Sequence, residues 1–448
     1  MTVELAIVCD SFGMGGTEKV AVTFALHHDR DRVRPRAIAL SEPGVRAGEL
    51  AAAGIDVSCA EGDPAKLTVL LQGADLVHVH RAGLPEPVVP LACRGAGVGA
   101  LVETNVFGWV DTSPDERQFD AHLLVSKMCA MRYRQRAGLD FGEFHQRQRT
   151  LYNPVDIEGL RAVVPAREQA CALLGLDASR PTVVRVGRQD DRKWGDILVA
   201  MVPRLLKLVP EAQIVLVGTT AHRRTQLRRA GVLDRVVCLS PSSDPHRLAA
   251  FYAAADVFAS ASSIGESFGL AIAEAMALGA PVVTSSTPWA DNAQVEVVDN
   301  GVNGWVANHP KAFAEAVADL LTDDARRKAF ASAAVAKVER TWHPRLLTER
   351  LEHLFEAVLH NGCLPPDWSP SAEEQQSFES SYPDRAAAQF RALSARERRE
   401  VKWGVQRERA GWAWRDLRAH PLQGGRMLAK LALGRLAALL QTSARRAG

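Results

Sequence analysis

The sequence lacks paired cysteines. Its cysteines are scattered, odd in number and include no C-x-x-C pair. Both a disulfide framework and a zinc site built from thiolates would need closely spaced or paired cysteines. The pattern therefore predicts reduced thiols in a reducing compartment. The cysteines are Cys9, Cys59, Cys93, Cys129, Cys171, Cys238 and Cys363.

Long apolar runs and an excess of either charge are missing as well. No uninterrupted apolar run approaches the ~20 residues that a membrane-spanning helix needs. The start, MTVELAIVCD, lacks the basic residues and the long apolar core of a signal peptide. The 54 basic and 52 acidic residues leave a net charge of +2, so the balance of the whole chain indicates neither nucleic acid nor membrane as a partner. We expect a cytoplasmic protein.

A metal site made of two aspartates after a strand is not evident. The one Asp-x-Asp spacing is Asp29-Arg30-Asp31, in a charged turn that follows a predicted helix. Such a turn is typically solvated. We therefore predict no metal ion and no cofactor.

Short apolar runs that alternate with helical patterns are present along most of the chain, which has 448 residues. This length suggests two or three domains at about 150 residues each. The alternation is typical of βαβ units with a parallel sheet, and it pauses at the turn signal Asn153-Pro154. We predict an α/β fold of two doubly wound, Rossmann-like domains that face a cleft. The predicted strands are 5–9, 36–40, 75–80, 99–104 and 122–126 before the pause, and 182–187, 213–218, 236–240, 256–262 and 280–285 after it.

One segment, SSIGESFGLAIAEAMALGAP at 262–281, places two acids among small and apolar residues. It follows a predicted strand, and its Gly279-Ala-Pro281 end is a helix stop signal. A helix is therefore predicted to begin near Gly269. Unpaired N–H groups at a helix start favour an anion, and glycine lets a phosphate approach the backbone closely.

The two acids of this segment are Glu266 and Glu274. Taken singly, each could be a solvated surface or capping residue, because exposed acids are common. Glu274, however, is surrounded by Ala, Ile and Met, so its helix is predicted to be buried, and a buried acid needs a partner. Its carboxylate could accept two hydroxyl hydrogen bonds, as a ribose diol would offer. Glu266 would face the same pocket from the rim.

The spacing Glu266-x(7)-Glu274, with F-G-L inside it, resembles the signature of the family 4 retaining glycosyltransferases of the GT-B fold. Other segments resemble that family in the same order, and together they cover residues 3–360. They are GMGGTEKVAVTFA at 13–25, LYNPVDIEGL at 151–160, VGRQDDRKWGDILVAM at 186–201 and VEVVDNGVNGWV at 295–306.

The resemblance implies roles for the matching residues. Arg188 and Lys193 would bind the donor diphosphate and stabilise it as it departs; the alternative is a solvated charged turn. Glu266 would hold the donor sugar and Glu274 the ribose. We predict Glu266, Arg188 and Lys193 as catalytic residues. The other predicted donor contacts are Gly15, Gly16, Phe268, Gly269 and Leu270.

Substrate contacts are predicted at three further positions. His80 shares a strand face with His78 in HVHR, at a strand end expected to face the cleft, although a lone histidine is more often structural. Many relatives carry T-x-H after the next strand, where this chain has VETNVFGW at 102–109. Glu103, Thr104 or Asn105 would then contact the sugar, and we select Asn105. Glu296 matches the acid of the 295–306 segment. A second departure is WADNAQVE at 289–296, which replaces a glycine-rich loop and would shape the sugar pocket.

The predicted domain boundaries follow from the same reasoning. An acceptor domain spans 1–152 and a nucleotide-sugar domain spans 153–345, and by resemblance a helix at 346–360 crosses back to the first domain. A basic, Trp-bearing helical extension covers 361–448, with a polar linker at its start. Residues 385–448 contain 15 basic and 4 acidic residues. This tail could contact an anionic membrane, the inner face of the cell membrane being the expected place, or it could pack on another subunit or on the body. Nucleic-acid binding by the tail is a further possibility, but no recognised nucleic-acid-binding module supports it.

The resemblance implies a retaining glycosyltransferase that moves a sugar from a nucleotide diphosphate donor, with a UDP-sugar as first guess. The acceptor would be a hydroxyl of a glycan or lipid-linked glycan, in bacterial surface polysaccharide or glycoconjugate synthesis. Three alternatives stay open. The chain could be a nucleotide-sugar epimerase of the same fold, a phosphorylase, or a non-catalytic scaffold that binds a partner through its tail.

Overall fold

Parallel β-strands form two separate sheets in the computed structural model of the chain, which describes residues 2–419. The strand order is β3-β2-β1-β4-β5-β6-β7 in the first sheet and β10-β9-β8-β11-β12-β13 in the second. The first sheet contains β1 (Val3–Ser11), β2 (Val33–Glu42), β3 (Val57–Cys59), β4 (Leu76–Arg81), β5 (Ala100–Asn105), β6 (Ala121–Leu124) and β7 (Gln148–Thr150). The second contains β8 (Thr182–Arg185), β9 (Gln213–Val217), β10 (Val237–Leu239), β11 (Val257–Ser260), β12 (Val282–Thr284) and β13 (Gly304–Val306).

Helices cover both faces of each sheet. The helices that accompany the first sheet are α1 (Gly16–His27), α2 (Ala47–Ala52), α3 (Pro64–Leu71), α4 (Val88–Ala96), α5 (Lys127–Ala137) and α6 (Phe141–Arg147). Those that accompany the second are α7 (Ile157–Val163), α8 (Arg167–Leu174), α9 (Asp196–Leu208), α10 (Ala221–Arg229), α11 (Pro245–Ala253), α12 (Leu270–Ala277), α13 (Gln294–Val297), α14 (Pro310–Thr322) and α15 (Asp324–Trp342). The chain continues as α16 (Pro344–Asn361), α17 (Ala372–Ala387) and α18 (Ala395–Ala419).

Alternate residues of a strand enter different cores, which explains the continuous apolar runs. In β1, Leu5 and Ile7 pack on the face that α1 covers, whereas Ala6 and Val8 pack on the face that α3 and α4 cover. Parallel strands that are buried on both faces need apolar side chains in both directions. The second sheet is built in the same way. The predicted α/β fold with two parallel sheets is therefore confirmed.

The strand order of each sheet reverses direction at one place. This place lies between β1 and β4 in the first sheet and between β8 and β11 in the second. Ligands of open α/β sheets bind at the carboxyl ends of the strands at such a switch point. The loops after β1, β8 and β11 carry the segments 13–16, 186–193 and 261–269, so the fold places three of the predicted site segments at switch points.

Residues 361–387 form a packed strap instead of the loose linker that the composition suggested. Trp368 is buried and its indole N–H donates to the carbonyl of Thr150 at 2.8 Å. Phe378 and Gln375 of α17 are also buried, and the Gln375 amide donates to the carbonyl of Lys127 at 3.0 Å. The linker prediction was wrong because a few well-placed side chains anchor an otherwise polar segment.

Helix α16 lies against the start of the chain. Its buried Glu352 accepts hydrogen bonds from the His28 ring at 3.0 Å and from the Asp29 N–H at 2.8 Å. Among residues 2–419, no helix is both long enough and apolar enough to cross a membrane. The leucines at 428–440 that show helical spacing lie outside the described residues.

Candidate functional site

The loop after β8 places Lys193 at the second switch point. Asp190 caps the short turn Asp191–Lys193, since its carboxylate accepts from the Arg192 N–H at 2.9 Å. The carbonyl of Lys193 accepts a hydrogen bond from the Arg185 guanidinium at 2.7 Å. Both ends of the turn are therefore held, and the lysine side chain is free to extend towards the next loop.

Arg185 anchors this turn from inside the domain. It is buried, donates to the carbonyl of Val217 at 2.6 Å and lies 4.0 Å above the ring of Trp194. Burial lowers the pKa of its guanidinium to about 9, although the charge of Glu266 opposes the shift. Sequence reasoning missed Arg185 because it lies inside an apolar strand and outside the matched motif.

Lys193 and Glu266 are in direct contact. The lysine Nζ lies 2.8 Å from Glu266 Oε2, and about a fifth of each side chain is exposed. The Glu266 backbone is fixed by the 289–296 segment, because its N–H donates to Gln294 Oε1 at 3.1 Å and its carbonyl accepts from the Ala293 N–H at 2.8 Å. The amides that replace a glycine-rich loop thus hold one of the predicted catalytic residues.

Helix α12 begins where the sequence predicted. Gly269 is its N-cap residue and has φ 102°, a left-handed conformation that favours glycine. The first N–H groups of the helix, those of Leu270 and Ala271, lack partners within the helix and favour an anion. The side chain of Phe268 points elsewhere and packs edge-on against Trp342, with 5.3 Å between ring centroids. It anchors the loop in the core.

Glu274 is buried, as expected, and it has two partners. It forms an ion pair with Lys19 of α1, and the Tyr252 hydroxyl donates to it at 2.6 Å. Burial and the negative charge of Glu274 raise the pKa of Tyr252 well above its usual value, so the tyrosine keeps its proton. Neither partner was named from the sequence, since both lie far from Glu274 along the chain.

Gly15 and Gly16, at the start of α1, lie next to the start of α12. Gly15 is the N-cap residue of α1, and Leu270 Cδ2 lies 3.9 Å from the position that a Cβ would occupy at Gly16. The N-terminal ends of α1 and α12 are therefore adjacent. A further contact comes from Ser126, whose hydroxyl donates to the carbonyl of Ser267 at 2.7 Å.

Arg188 is exposed on the loop that carries Lys193. The neighbouring Gln189 fixes this loop by donating to the carbonyl of Thr219 at 3.1 Å. Within the described part of the chain, the Arg188 guanidinium forms no ion pair. It extends into solvent from the same switch point and is available to an anion.

His80 does not face an open cleft. It is buried, its ring lies 4.4 Å from that of His78 and 6.3 Å from that of Phe24, and neither ring nitrogen has a hydrogen-bond partner in residues 2–419. Burial lowers its pKa to about 3. The expectation that these histidines line the cleft was wrong, because α1 covers that strand face.

The strand end at 103–105 is occupied by internal contacts. Asn105 donates to the carbonyl of Trp109 at 2.8 Å and accepts from the Gly108 N–H at 2.9 Å, so its amide shapes the loop instead of facing a substrate. Glu103 pairs with Arg81 at 3.0 Å and with His122, and Thr104 is hydrogen-bonded to His78. The prediction that one of these side chains contacts the sugar has no support in their geometry.

Glu296 caps a helix of the other sheet. Its carboxylate accepts from the N–H groups of Lys127 and Met128, at 3.3 and 3.2 Å, and from the Tyr152 hydroxyl at 2.9 Å. These bonds satisfy the start of α5. Glu296, the acid of the 295–306 segment, therefore joins the two α/β units. Its carboxylate contacts α5 and Tyr152 and takes no part in the Lys193–Glu266 pair.

Comparisons with known proteins cover the second sheet best. The family model described as Glycosyl transferases group 1 matches residues 180–323. A D-inositol 3-phosphate glycosyltransferase of Xylanimonas cellulosilytica is 35% identical over 199 residues, which are 42% of this chain and 46% of that protein. A phosphatidyl-myo-inositol mannosyltransferase of Mycobacterium leprae is 28% identical over 203 residues, 44% of this chain and 52% of that protein. The chain spans about half the length of these curated relatives.

Solved structures cover more of the chain. The crystal structure of Anabaena Alr3699/HepE in complex with UDP and glucose superposes with a TM-score of 0.65 and 20% identity, over 79% of this chain and 100% of that chain. This likeness shows the fold, which is that of the GT-B proteins.

Proposed function

We propose that this chain is a retaining glycosyltransferase that uses a nucleotide diphosphate sugar, a proposal supported by the match of residues 180–323 to the family model described as Glycosyl transferases group 1. The observation that carries the proposal is the Lys193–Glu266 contact of 2.8 Å beside the start of α12. Neighbouring loops at one switch point thus supply three components: a cation for the diphosphate, an acid for the sugar, and unpaired N–H groups for the phosphate oxygens.

The chemical step divides among these groups. The bond between the anomeric carbon and the diphosphate oxygen breaks while the acceptor hydroxyl oxygen bonds to the same face of that carbon. The hydroxyl proton passes to the departing diphosphate oxygen, so no side chain is assigned as general base. Lys193, Arg188 and the α12 N-terminus stabilise the negative charge that develops on the leaving group. Glu266 orients Lys193 and the sugar hydroxyls, and Glu274 holds the ribose.

The donor and acceptor are finer parts of the proposal. A UDP-sugar is the first choice, supported by the UDP in the Anabaena structure. The mannosyltransferase relative is named for a phosphatidyl-myo-inositol acceptor, which supports a hydroxyl on a glycan or lipid-linked glycan. We assign residues 1–152 to the acceptor side and 153–345 to the donor side.

The basic C-terminal segment supplies a further proposal about location. Residues 385–448 carry 15 basic and 4 acidic residues together with three tryptophans, a composition that suits an anionic membrane surface. The full chain should sediment with phosphatidylglycerol vesicles at low salt and dissociate at high salt. Equal sedimentation with neutral vesicles would contradict this proposal.

Nucleotide binding tests the enzyme assignment directly. A ligand at 100 times its dissociation constant stabilises a protein by about 2.7 kcal/mol, so UDP or GDP should raise the melting temperature. Lys193→Ala should remove most of the rise and lower kcat by about 10²–10³-fold, as loss of one transition-state donor does. Lys207→Ala, on the exposed face of α9, is the matched control and should behave as the unaltered chain. No rise with any nucleoside diphosphate would refute the proposal.

A further inference from the structure

A cavity lies where the two α/β units and the C-terminal strap meet. It has a volume of about 400 Å³, within the range of about 300–1,000 Å³ that small-molecule sites occupy. Its walls come from the start of α5, from α13 and α15, from α16 and from α17. None of Lys193, Glu266 and Glu274 lines it, so it is separate from the donor site.

Basic side chains outnumber acidic ones in the lining of this cavity. The cations are Lys127, Lys337, Arg340, Arg350 and Arg385, and the acids are Glu296, Asp299 and Glu374. More cations than acids in a partly enclosed space attract an anion, because the low local dielectric strengthens the interaction.

The acids of the cavity are already engaged. Glu296 binds the start of α5 and Tyr152, as described above. Asp299 accepts from Lys337 at 2.8 Å and pairs with Arg385 at 3.3 Å. Glu374 accepts from the Ser371 N–H at 2.7 Å. These bonds fix the three carboxylates, and the lining still holds two more cations than acids, although the charge of Glu374 also acts on Arg350.

Three cations are left without an acidic partner. Within residues 2–419, no carboxylate forms an ion pair with Lys127, Arg340 or Arg350. Arg350 donates to the carbonyl of Ser369 at 3.0 Å, and Lys127 Nζ lies 5.4 Å from the ring centroid of Phe378. Burial lowers the pKa of Arg350 and that of Lys337, the direction expected where cations are desolvated without full compensation.

We propose that this cavity binds a small phosphorylated compound, with its phosphate directed at Lys127, Arg340 and Arg350. A phosphate dianion supplies several acceptor oxygens to groups that offer only donors. Tyr152, Trp342 and Phe378 also line the cavity, and their faces suit a sugar or another ring attached to the phosphate. The ligand class is therefore a phosphate monoester, either as a soluble metabolite or as a lipid headgroup.

The cavity and the donor site share the start of α5. Lys127 opens this helix, and the preceding Ser126 holds the Ser267 carbonyl of the 262–281 segment at 2.7 Å. An occupant that fixes α5 would therefore alter donor affinity, and by linkage the donor would alter the affinity for the occupant by the same factor. This coupling rests on the proposed function, whereas the binding itself does not.

Calorimetric titration of the full chain with glucose 6-phosphate tests the binding. We expect saturable binding that Arg340→Gln and Arg350→Gln each weaken at least tenfold. Arg345→Gln removes the same charge from an exposed position on α16 and should leave the binding unchanged. Lys193→Ala should also leave it unchanged, because the donor site is elsewhere. Arg340 is exposed, so its variant keeps the test valid if Arg350→Gln fails to fold.

Each outcome decides the matter. The proposal is overturned if neither glucose 6-phosphate nor phosphatidic acid binds, if the Arg340 and Arg350 variants bind as tightly as the unaltered chain, or if Lys193→Ala loses the binding. The second arm compares phosphatidic acid vesicles with phosphatidylglycerol vesicles, to which the basic tail would bind alike. A preference for phosphatidic acid that Arg340→Gln and Arg350→Gln abolish, and that Arg345→Gln and Lys193→Ala retain, supports the site and assigns the phosphate to a lipid. Failure of the enzyme proposal would appear separately, as normal glucose 6-phosphate binding with no response to UDP or GDP.

Discussion

Lys19 of α1 forms an ion pair with Glu274 of α12, so the two α/β units are joined through a buried carboxylate. The exposed fraction is 17% for the lysine side chain and 5% for the glutamate side chain. Removing one partner of a buried pair leaves an uncompensated charge, which costs more than the pair itself contributes.

Lys19→Ala should therefore lower the free energy of unfolding by about 3 kcal/mol. Glu274 keeps one bond from Tyr252 but loses its counter-charge. Calorimetric melting is the measurement, and the double variant Lys19→Ala/Glu274→Gln should be less destabilised than the sum of the two single variants. Lys66→Ala removes an exposed partner of Glu61 and should change stability by less than about 1 kcal/mol. Strict additivity would contradict the assigned contact.

Arg185→Met should impair the turn that carries Lys193. The substitution leaves the carbonyls of Lys193 and Val217 without their donor, and unsatisfied buried groups cost about 1–3 kcal/mol each. We expect a lower melting temperature and a weaker response to UDP or GDP, read by the same thermal assay. Arg180→Met is the control, since Arg180 also donates to a carbonyl but at the surface. Unchanged nucleotide binding in Arg185→Met would argue against a positioning role.

The segment from Glu266 to Glu274 shows what the sequence could predict about the site. The order of residues predicted a strand, a glycine at a helix start and a buried acid, because each follows from local composition. The resemblance drawn from this segment agrees with the match of residues 180–323 to the family model described as Glycosyl transferases group 1. Lys19, Tyr252 and Gln294 could not be named, since their contacts with this segment depend on how distant elements pack.

The missed strands have a similar explanation. β3, β7 and β13 have three residues each, and QRT in β7 carries no apolar signal. Such strands form because a neighbouring strand offers hydrogen bonds at the sheet edge. The buried position of His80 was missed because alternation along a strand shows which residues share a face but not what covers that face.

Acid should destabilise the first α/β unit through three of its buried histidines, an effect that the raised pKa of His122 beside Glu103 and Glu116 partly offsets. Burial lowers the pKa of His28, of His78 and of His80, the last to about 3, whereas an unfolded histidine titrates near 6.5. The unfolded chain therefore binds more protons, and stability falls as the pH decreases through about 6.5 and continues to fall towards the folded pKa values. Each such proton contributes a slope of about 1.4 kcal/mol per pH unit.

The variant His80→Gln tests how much His80 contributes to this pH dependence of stability. Melting temperatures recorded between pH 7 and pH 5 should decline less steeply in this variant than in the unaltered chain. His246→Gln, at an exposed position in α11, should retain the original slope. Equal slopes in His80→Gln and the unaltered chain would show that His80 does not stay neutral when folded.

Trp368→Ala should reveal that the strap stabilises the body. The indole is buried and hydrogen-bonded to Thr150, and truncation of a buried tryptophan costs about 3–5 kcal/mol. Limited proteolysis should then cut residues 361–387 faster. Trp403→Ala, at a residue that is 69% exposed, should change stability by no more than about 0.5 kcal/mol. Rapid cleavage of the unaltered strap would contradict the packing.

The N-terminal ends of α1 and α12 are adjacent, and both carry a positive partial charge. The space between these two ends is called the gap below. Each N-terminus is equivalent to roughly half a positive charge, so α1 and α12 repel one another across Gly16 and Leu270. An anion that enters the gap reverses this force and draws both ends inward. Salt should therefore weaken the contribution that a bound anion makes to the attachment of the two halves, since the anion is then itself a part of the joint.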